Sequence, residues 1–151
     1  LYAMIEYCNI ISRMQNLQVI RLDFGRCPEF NNECSVALQN TLCSLKKLES
    51  LALSFSGCSK VIIQDGKMNA NFPKTLKDLM LVVNETGITD EGIKEVCEHI
   101  AKLEVIQAVK LYFKKCEKLT ENGVKSLEKI FKSNKSLQRF EVHTSVLCLS
   151  S

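Results

Sequence analysis

One short pattern recurs five times along this 151-residue chain and constrains its fold more than any other feature. Each copy starts with an apolar leader and places further apolar residues three and five positions later. The leaders are Leu17, Leu48, Leu76, Ile106 and Leu137, separated by 31, 28, 30 and 31 residues. Alternating apolar side chains line one face of a strand. The pattern therefore predicts strands near residues 17–24, 48–55, 76–83, 106–113 and 137–143.

A helical pattern precedes four of the five leaders. Apolar side chains lie ten, six and three residues before the leader, which are the steps of an apolar helical stripe. The sets are Tyr7, Ile11 and Met14; Leu38, Leu42 and Leu45; Val96, Ile100 and Leu103; and Leu127 and Phe131, with Asn134 as the exception. Each unit of about 30 residues should hold one strand and one helix, and stacked units would bury a continuous core.

Two of the helix starts have nearly the same sequence. Residues 88–93 and 119–124 lie 31 positions apart, and each contains a threonine suited to cap a helix, Thr89 and Thr120. Gly92 and Gly123 follow at the third helical position. We expect the backbone there to pass close to another segment, where a Cβ atom would clash.

The shortest unit breaks the pattern. No apolar stripe can be built over residues 61–73, Asp65-Gly66 is a turn signal, and Phe72-Pro73 disfavours helix. We expect an irregular loop there, with room for a short hairpin around Asp65-Gly66.

Cysteine positions follow the repeat. Cys27, Cys58 and Cys116 each lie ten residues after their leader, so we expect stacked thiols that donate weakly to turn carbonyls. The eight cysteines contain no Cys-x-x-Cys pair, which argues against zinc ribbons and thioredoxin-like motifs. With no recognisable signal peptide, we expect eight reduced thiols, no disulfides, and an intracellular, cytoplasmic protein.

The segment Cys116-Glu-Lys-Leu-Thr-Glu-Asn-Gly123, together with the strand pattern, resembles leucine-rich repeats of the ribonuclease-inhibitor-like and cysteine-containing classes. The resemblance covers nearly the whole chain, although the cysteine falls two places later than in the usual motif. It implies an α/β leucine-rich-repeat solenoid, a right-handed β-α superhelix with a parallel sheet on the concave side and helices on the convex side. Residues 1–151 would form one domain of about five repeats.

The apolar residues after the last strand pattern bear on the extent of the domain. Val146, Leu147, Cys148 and Leu149 follow that strand without a helical pattern after them. Since terminal repeats need polar caps, we expect the chain to be a fragment of a longer protein, continued by more repeats or another domain, or covered by a partner subunit.

No motif in the sequence demands catalysis. His99 and His143 occupy different repeat positions, and neither metal-binding histidine pairs, a glycine-rich phosphate loop nor a Gly-x-Ser-x-Gly elbow occurs. We therefore predict a protein that is not an enzyme and uses no cofactor or metal. The chain also lacks an apolar run near the roughly 18 residues of a membrane helix, so we expect no membrane insertion.

Charge is uneven along the chain. The net charge is +3, yet residues 102–139 contain nine Lys and one Arg against four Glu. We favour a solvated convex face for this segment, the alternative being a contact for an acidic protein or a nucleic acid. Because no series of aromatic stacking residues of the kind that single-strand binders use accompanies these charges, nucleic acid is not the expected partner.

The non-core strand positions give the candidate binding surface. Aligning the five patterns places small and apolar residues in the middle of this face and charged or aromatic residues toward its ends, as in many binding surfaces. The candidate protein-binding residues are Arg21, Asp23, Met80, Lys110, Tyr112, Arg139, Glu141 and His143. The alternative is an ordinary solvated sheet face.

The expected function is a non-catalytic protein–protein interaction module, an adaptor or a subunit of a larger assembly. The resemblance to cysteine-containing repeats also implies an alternative, the substrate-recognition part of an F-box type ubiquitin ligase. The sequence shows no F-box segment.

Overall fold

Five strands form one parallel sheet whose spatial order, β1-β2-β3-β4-β5, is the order of the sequence. The computed structural model describes residues 2–59 and 71–146. The strands are β1 (Val19–Asp23), β2 (Ser50–Ser54), β3 (Asp78–Val82), β4 (Ala108–Phe113) and β5 (Arg139–Thr144). The five predicted strands and their parallel pairing are confirmed.

Helices connect most of the strands. They are α1 (Tyr2–Ser12), α2 (Asn32–Ser44), α3 (Asp90–Ala101), α4 (Glu121–Lys125) and α5 (Glu128–Ser133). The predicted loop at 61–73 and its hairpin lie mostly outside the described residues. Its last residues, 71–73, are non-helical, and the Asn71 amide donates to Oε1 of Gln39 at 2.8 Å.

The core lies between the helices and one face of the sheet. Alternate strand residues such as Leu51, Leu53 and Leu79 are buried and join the buried helix side chains in a single cluster. The leaders Leu48, Leu76 and Ile106 lie two residues before their strands and are fully buried. Because every unit contributes the same positions, the hydrophobic core runs the width of the sheet.

The structure differs from the apolar stripe that the sequence predicts for the first helix. Tyr7 and Met14, predicted to face the core, are exposed by 43% and 49%, whereas Met4, Cys8 and Ile11 are buried. α1 packs against α2. Its buried residues lie 13, 9 and 6 positions before the leader, as do the buried Ile93, Cys97 and Ile100 of α3, so the stripe keeps the phase of the repeat but lacks a buried residue at the tenth position.

The structure also differs from the apolar stripe that the sequence predicts for the last helical segment. Phe131 was predicted to be buried, but it is 54% exposed and the preceding Ile130 is fully buried. Between α4 and α5 the backbone makes i→i−3 hydrogen bonds, for example from the Ile130 amide to the Leu127 carbonyl at 3.1 Å. Such a tighter turn aligns residues three apart, so Leu127 and Ile130 share the core side.

Both predicted threonine caps are confirmed. Oγ1 of Thr89 accepts from the Gly92 amide and Oγ1 of Thr120 from the Asn122 amide, each at 3.3 Å. The close approach at Gly123 is also confirmed, since a Cβ there would lie 2.5 Å from Oδ1 of Asp90. Asp90 in turn accepts from the Thr120 amide at 2.7 Å. One carboxylate therefore joins two helix starts that lie 30 residues apart.

The turns after the strands repeat a backbone conformation. Arg26, Gly57, Glu85 and Lys115 all have positive φ, between 55° and 70°. Each lies nine residues after its leader, although Gly57 alone is the residue type that favours this left-handed region. The repeat therefore fixes the turn geometry even where the side chain disfavours it.

Two of the three turn cysteines, Cys58 and Cys116, donate as predicted. Sγ of Cys58 donates to the Phe24 carbonyl and Sγ of Cys116 to the Val83 carbonyl, in each case a carbonyl of the preceding unit. In the third unit Thr86 takes the cysteine position, and its hydroxyl donates to the same Val83 carbonyl. The seven described cysteines are free thiols.

Candidate functional site

The candidate residues lie on the sheet face turned away from the helices, here called the open face. The strand register groups its side chains into three rows, each crossing all five strands. The rows are Val19, Ser50, Asp78, Ala108 and Arg139; Arg21, Ala52, Met80, Lys110 and Glu141; and Asp23, Ser54, Val82, Tyr112 and His143. This register is the one that the sequence alignment of the five patterns predicts.

A depression of about 450 Å³ crosses the first two rows of the open face. Small side chains, Ser50, Ala52 and Ala108, line it toward the middle of the sheet. Arg21 on β1 and Arg139 on β5 line its two ends. Its lining also includes Asp78, Met80 and Lys110. A depression with a small-residue floor and charged ends can accept side chains from another molecule.

Four of the candidate residues form a cluster across β4 and β5. Glu141 pairs with Lys110 (Nζ to Oε1, 3.6 Å) and lies 3.8 Å from Nε2 of His143. The rings of Tyr112 and His143 stack with centroids 4.2 Å apart and planes 3° from parallel. Lys110 and Glu141 pair with each other and the two rings stack, so the cluster borders the depression without a free charge.

Three other charges on the open face have no such arrangement. Within residues 2–59 and 71–146, no ion pair involves Arg21, Asp78 or Arg139. All three side chains are exposed. Asp23 differs, because its Oδ1 accepts from the Gly25 amide at 2.8 Å. The unpaired charges of the depression are therefore two guanidinium groups at its ends and one carboxylate between them.

Asp78 is a further residue of the site that the sequence does not single out. The alternation pattern places it on the open face, but nothing local distinguishes it from a solvated strand residue. The structure adds it to the site because it lines the depression beside Met80.

A second charged group lies outside the open face, on the left-handed turns. Arg26 and Lys115 both reach Glu85, at 4.0 and 3.9 Å. Arg26 belongs to a unit two strands away, and its side chain passes over Gly57, where an added Cβ would lie 3.0 Å from Cγ of Arg26. Because Arg26 is 84% exposed, this contact adds little stability.

Two lysines of the basic segment 102–139, both in α5, pair with carboxylates on the helix surface. Lys129 pairs with Glu98 at 3.4 Å and Lys132 with Glu128 at 3.1 Å. A depression of about 320 Å³ on this surface contains Glu98 among its lysines. These two ion pairs agree with the solvated helix face that the sequence favours.

Two further findings concern the described residues only. No three His, Cys, Asp or Glu side chains in residues 2–59 and 71–146 are grouped as a metal site would require. None of the helices in these same ranges has both the length and the apolar character needed to cross a membrane.

Neither the models of known protein families nor the curated proteins contain a match to this sequence.

Proposed function

We propose that this chain is a non-catalytic protein-binding module that acts as an adaptor or a subunit of a larger assembly and uses the open face as its contact surface. The observation that carries the proposal is the depression across all five strands, with its small-residue floor and its unpaired arginines at both ends. Parallel strands stacked in sequence order offer a wide surface built from many separate segments, which suits recognition of another protein.

The same proposal assigns the fold to the leucine-rich-repeat solenoids. Three features support this assignment: the sequential parallel sheet, the left-handed residue at one repeat position, and the Cys or Thr donor at the next. Each of these features repeats at intervals of 28–31 residues. A repeat that fixes strand, turn and side-chain donor in phase is typical of a solenoid rather than of an ordinary α/β sheet.

The test compares the chain with open-face variants in affinity purification from an extract of its source cells. Met80→Glu places a charge in the middle of the depression, while Lys118→Glu changes the charge by two units on an exposed residue outside it. We expect a specific partner that is retained by the wild type and Lys118→Glu and is lost with Met80→Glu. Partners bound equally by all three proteins would overturn the proposal, and so would the absence of any partner.

A further inference from the structure

The charges of the depression specify which kind of segment it accepts. Arg21 and Arg139 are exposed, unpaired among the described residues, and placed on the two edge strands of the sheet. A guanidinium group binds a carboxylate through two parallel hydrogen bonds. Each end of the depression therefore presents a site for one acidic side chain.

The separation of these two sites follows from the sheet. Arg21 and Arg139 are four strand steps apart across the sheet and two residues apart along the strands. At about 4.8 Å per step and about 3.3 Å per residue, this separation is about 20 Å. An extended peptide rises about 3.3 Å per residue, so about six residues cover this distance. Because side chains alternate along an extended peptide, residues i, i+2, i+4 and i+6 all face the sheet together.

The floor sets the requirements for the positions in between. Ala52, Met80 and Ala108 line the floor there with apolar side chains, of which Ala108 is only 8% exposed. Asp78 lies in the middle of the depression and repels a central acidic residue. The middle of the bound segment should therefore be uncharged and small or apolar.

We propose that the open face binds an extended acidic segment of a partner protein, which crosses the strands and places two carboxylates six residues apart on Arg21 and Arg139. This inference rests on the proposed function and adds the chemistry of the partner. The cluster of Lys110, Glu141, His143 and Tyr112 borders the segment without contributing a free charge, because its charged groups pair with one another.

The test uses a fluorescein-labelled peptide, Glu-Ser-Leu-Ser-Ala-Ser-Glu, titrated with the full 151-residue chain and followed by anisotropy. We expect Arg21→Glu and Arg139→Glu each to weaken binding at least about tenfold, the loss of one charge-assisted contact. Arg13→Glu makes the same substitution at an exposed residue just after α1 and should change the affinity less than about twofold. Raising the salt from about 50 to about 300 mM should weaken binding by the wild type.

Peptide controls test the spacing and the sign of the charge. Replacing both glutamates with glutamines should abolish binding, and moving the last glutamate to the fifth position, which also faces the sheet, should weaken it about tenfold or more. Absence of binding by the wild type would overturn the inference, as would equal binding of the glutamine peptide or insensitivity to either arginine variant. If the partner lost with Met80→Glu is nevertheless found, the proposed function stands and only the acidic segment is excluded. If neither a partner nor the peptide binds, both proposals are wrong.

Discussion

At the scale of single residues, the deepest part of the core decides stability. Leu79 is 2% exposed and pairs in register with Leu51 and Val109 on the two neighbouring strands. We predict that Leu79→Ala lowers the free energy of unfolding by about 2–5 kcal/mol, because a large side chain leaves a cavity between two units. Urea melts measure this loss. Met80→Ala, one residue along and on the open face, should cost less than half as much, and a loss below about 1 kcal/mol for Leu79→Ala would show that Leu79 is not core.

A buried thiol makes stability depend on alkaline pH. Burial, with a smaller effect from Glu98, raises the pKa of Cys97 to about 12. The unfolded chain ionises this thiol at lower pH than the folded chain, so its contribution to stability is complete below about pH 9 and is lost as the pH rises toward 12. We predict that Cys97→Val removes part of the fall in the free energy of unfolding between these pH values, measured by urea melts. Equal pH dependence in both proteins would contradict this.

At the scale of elements, the close contact between the starts of α3 and α4 depends on the glycine at position 123. An added Cβ at Gly123 would meet Oδ1 of Asp90 and Cδ1 of Leu119, both at 2.5 Å. We predict that Gly123→Ala destabilises the protein by about 1–3 kcal/mol, the usual cost of overpacking. Gly87→Ala is the matched control, because no atom lies within 4 Å of its added Cβ. Equal melting temperatures of the two variants would show that α4 can move away from Asp90.

The shifted phase of the last helical segment gives a second pair of variants. Ile130 is fully buried, whereas Phe131 is 54% exposed and contacts Phe140 with ring centroids 4.3 Å apart. We predict that Ile130→Ala costs about 2–5 kcal/mol of unfolding free energy. Phe131→Ala should cost less than half of that, although it removes the larger side chain. A larger loss of unfolding free energy for Phe131→Ala than for Ile130→Ala in chemical denaturation would show that Phe131 lies in the core, as the predicted apolar stripe requires.

At the scale of the whole molecule, the sheet and its register could be predicted from the sequence. The buried side of the last helical segment and the contacts between distant units could not. Alternation is a local signal, and a nearly constant spacing of leaders aligns the rows, so positions such as Arg21 and Glu141 were assigned to the right face. Phe131 was misplaced because the i→i−3 hydrogen bonds before it leave no mark in the apolar pattern. The bridge from Asp90 to Thr120 and the pairing of Arg26 with Glu85 join residues 30 or more apart, and no local periodicity records such contacts.

The sequential order of the strands determines how the molecule responds to tension. A force applied between residues 2 and 146 pulls across the sheet, since the first and last described strands are its two edges. The force then acts on the hydrogen bonds between one pair of neighbouring strands at a time. We therefore expect the units to unfold one after another rather than all in a single event. Optical-trap extension should show several low-force steps of about 100 Å each, the extended length of about 30 residues. A molecule of this kind lengthens gradually under load, one unit after another, while the remaining units stay folded.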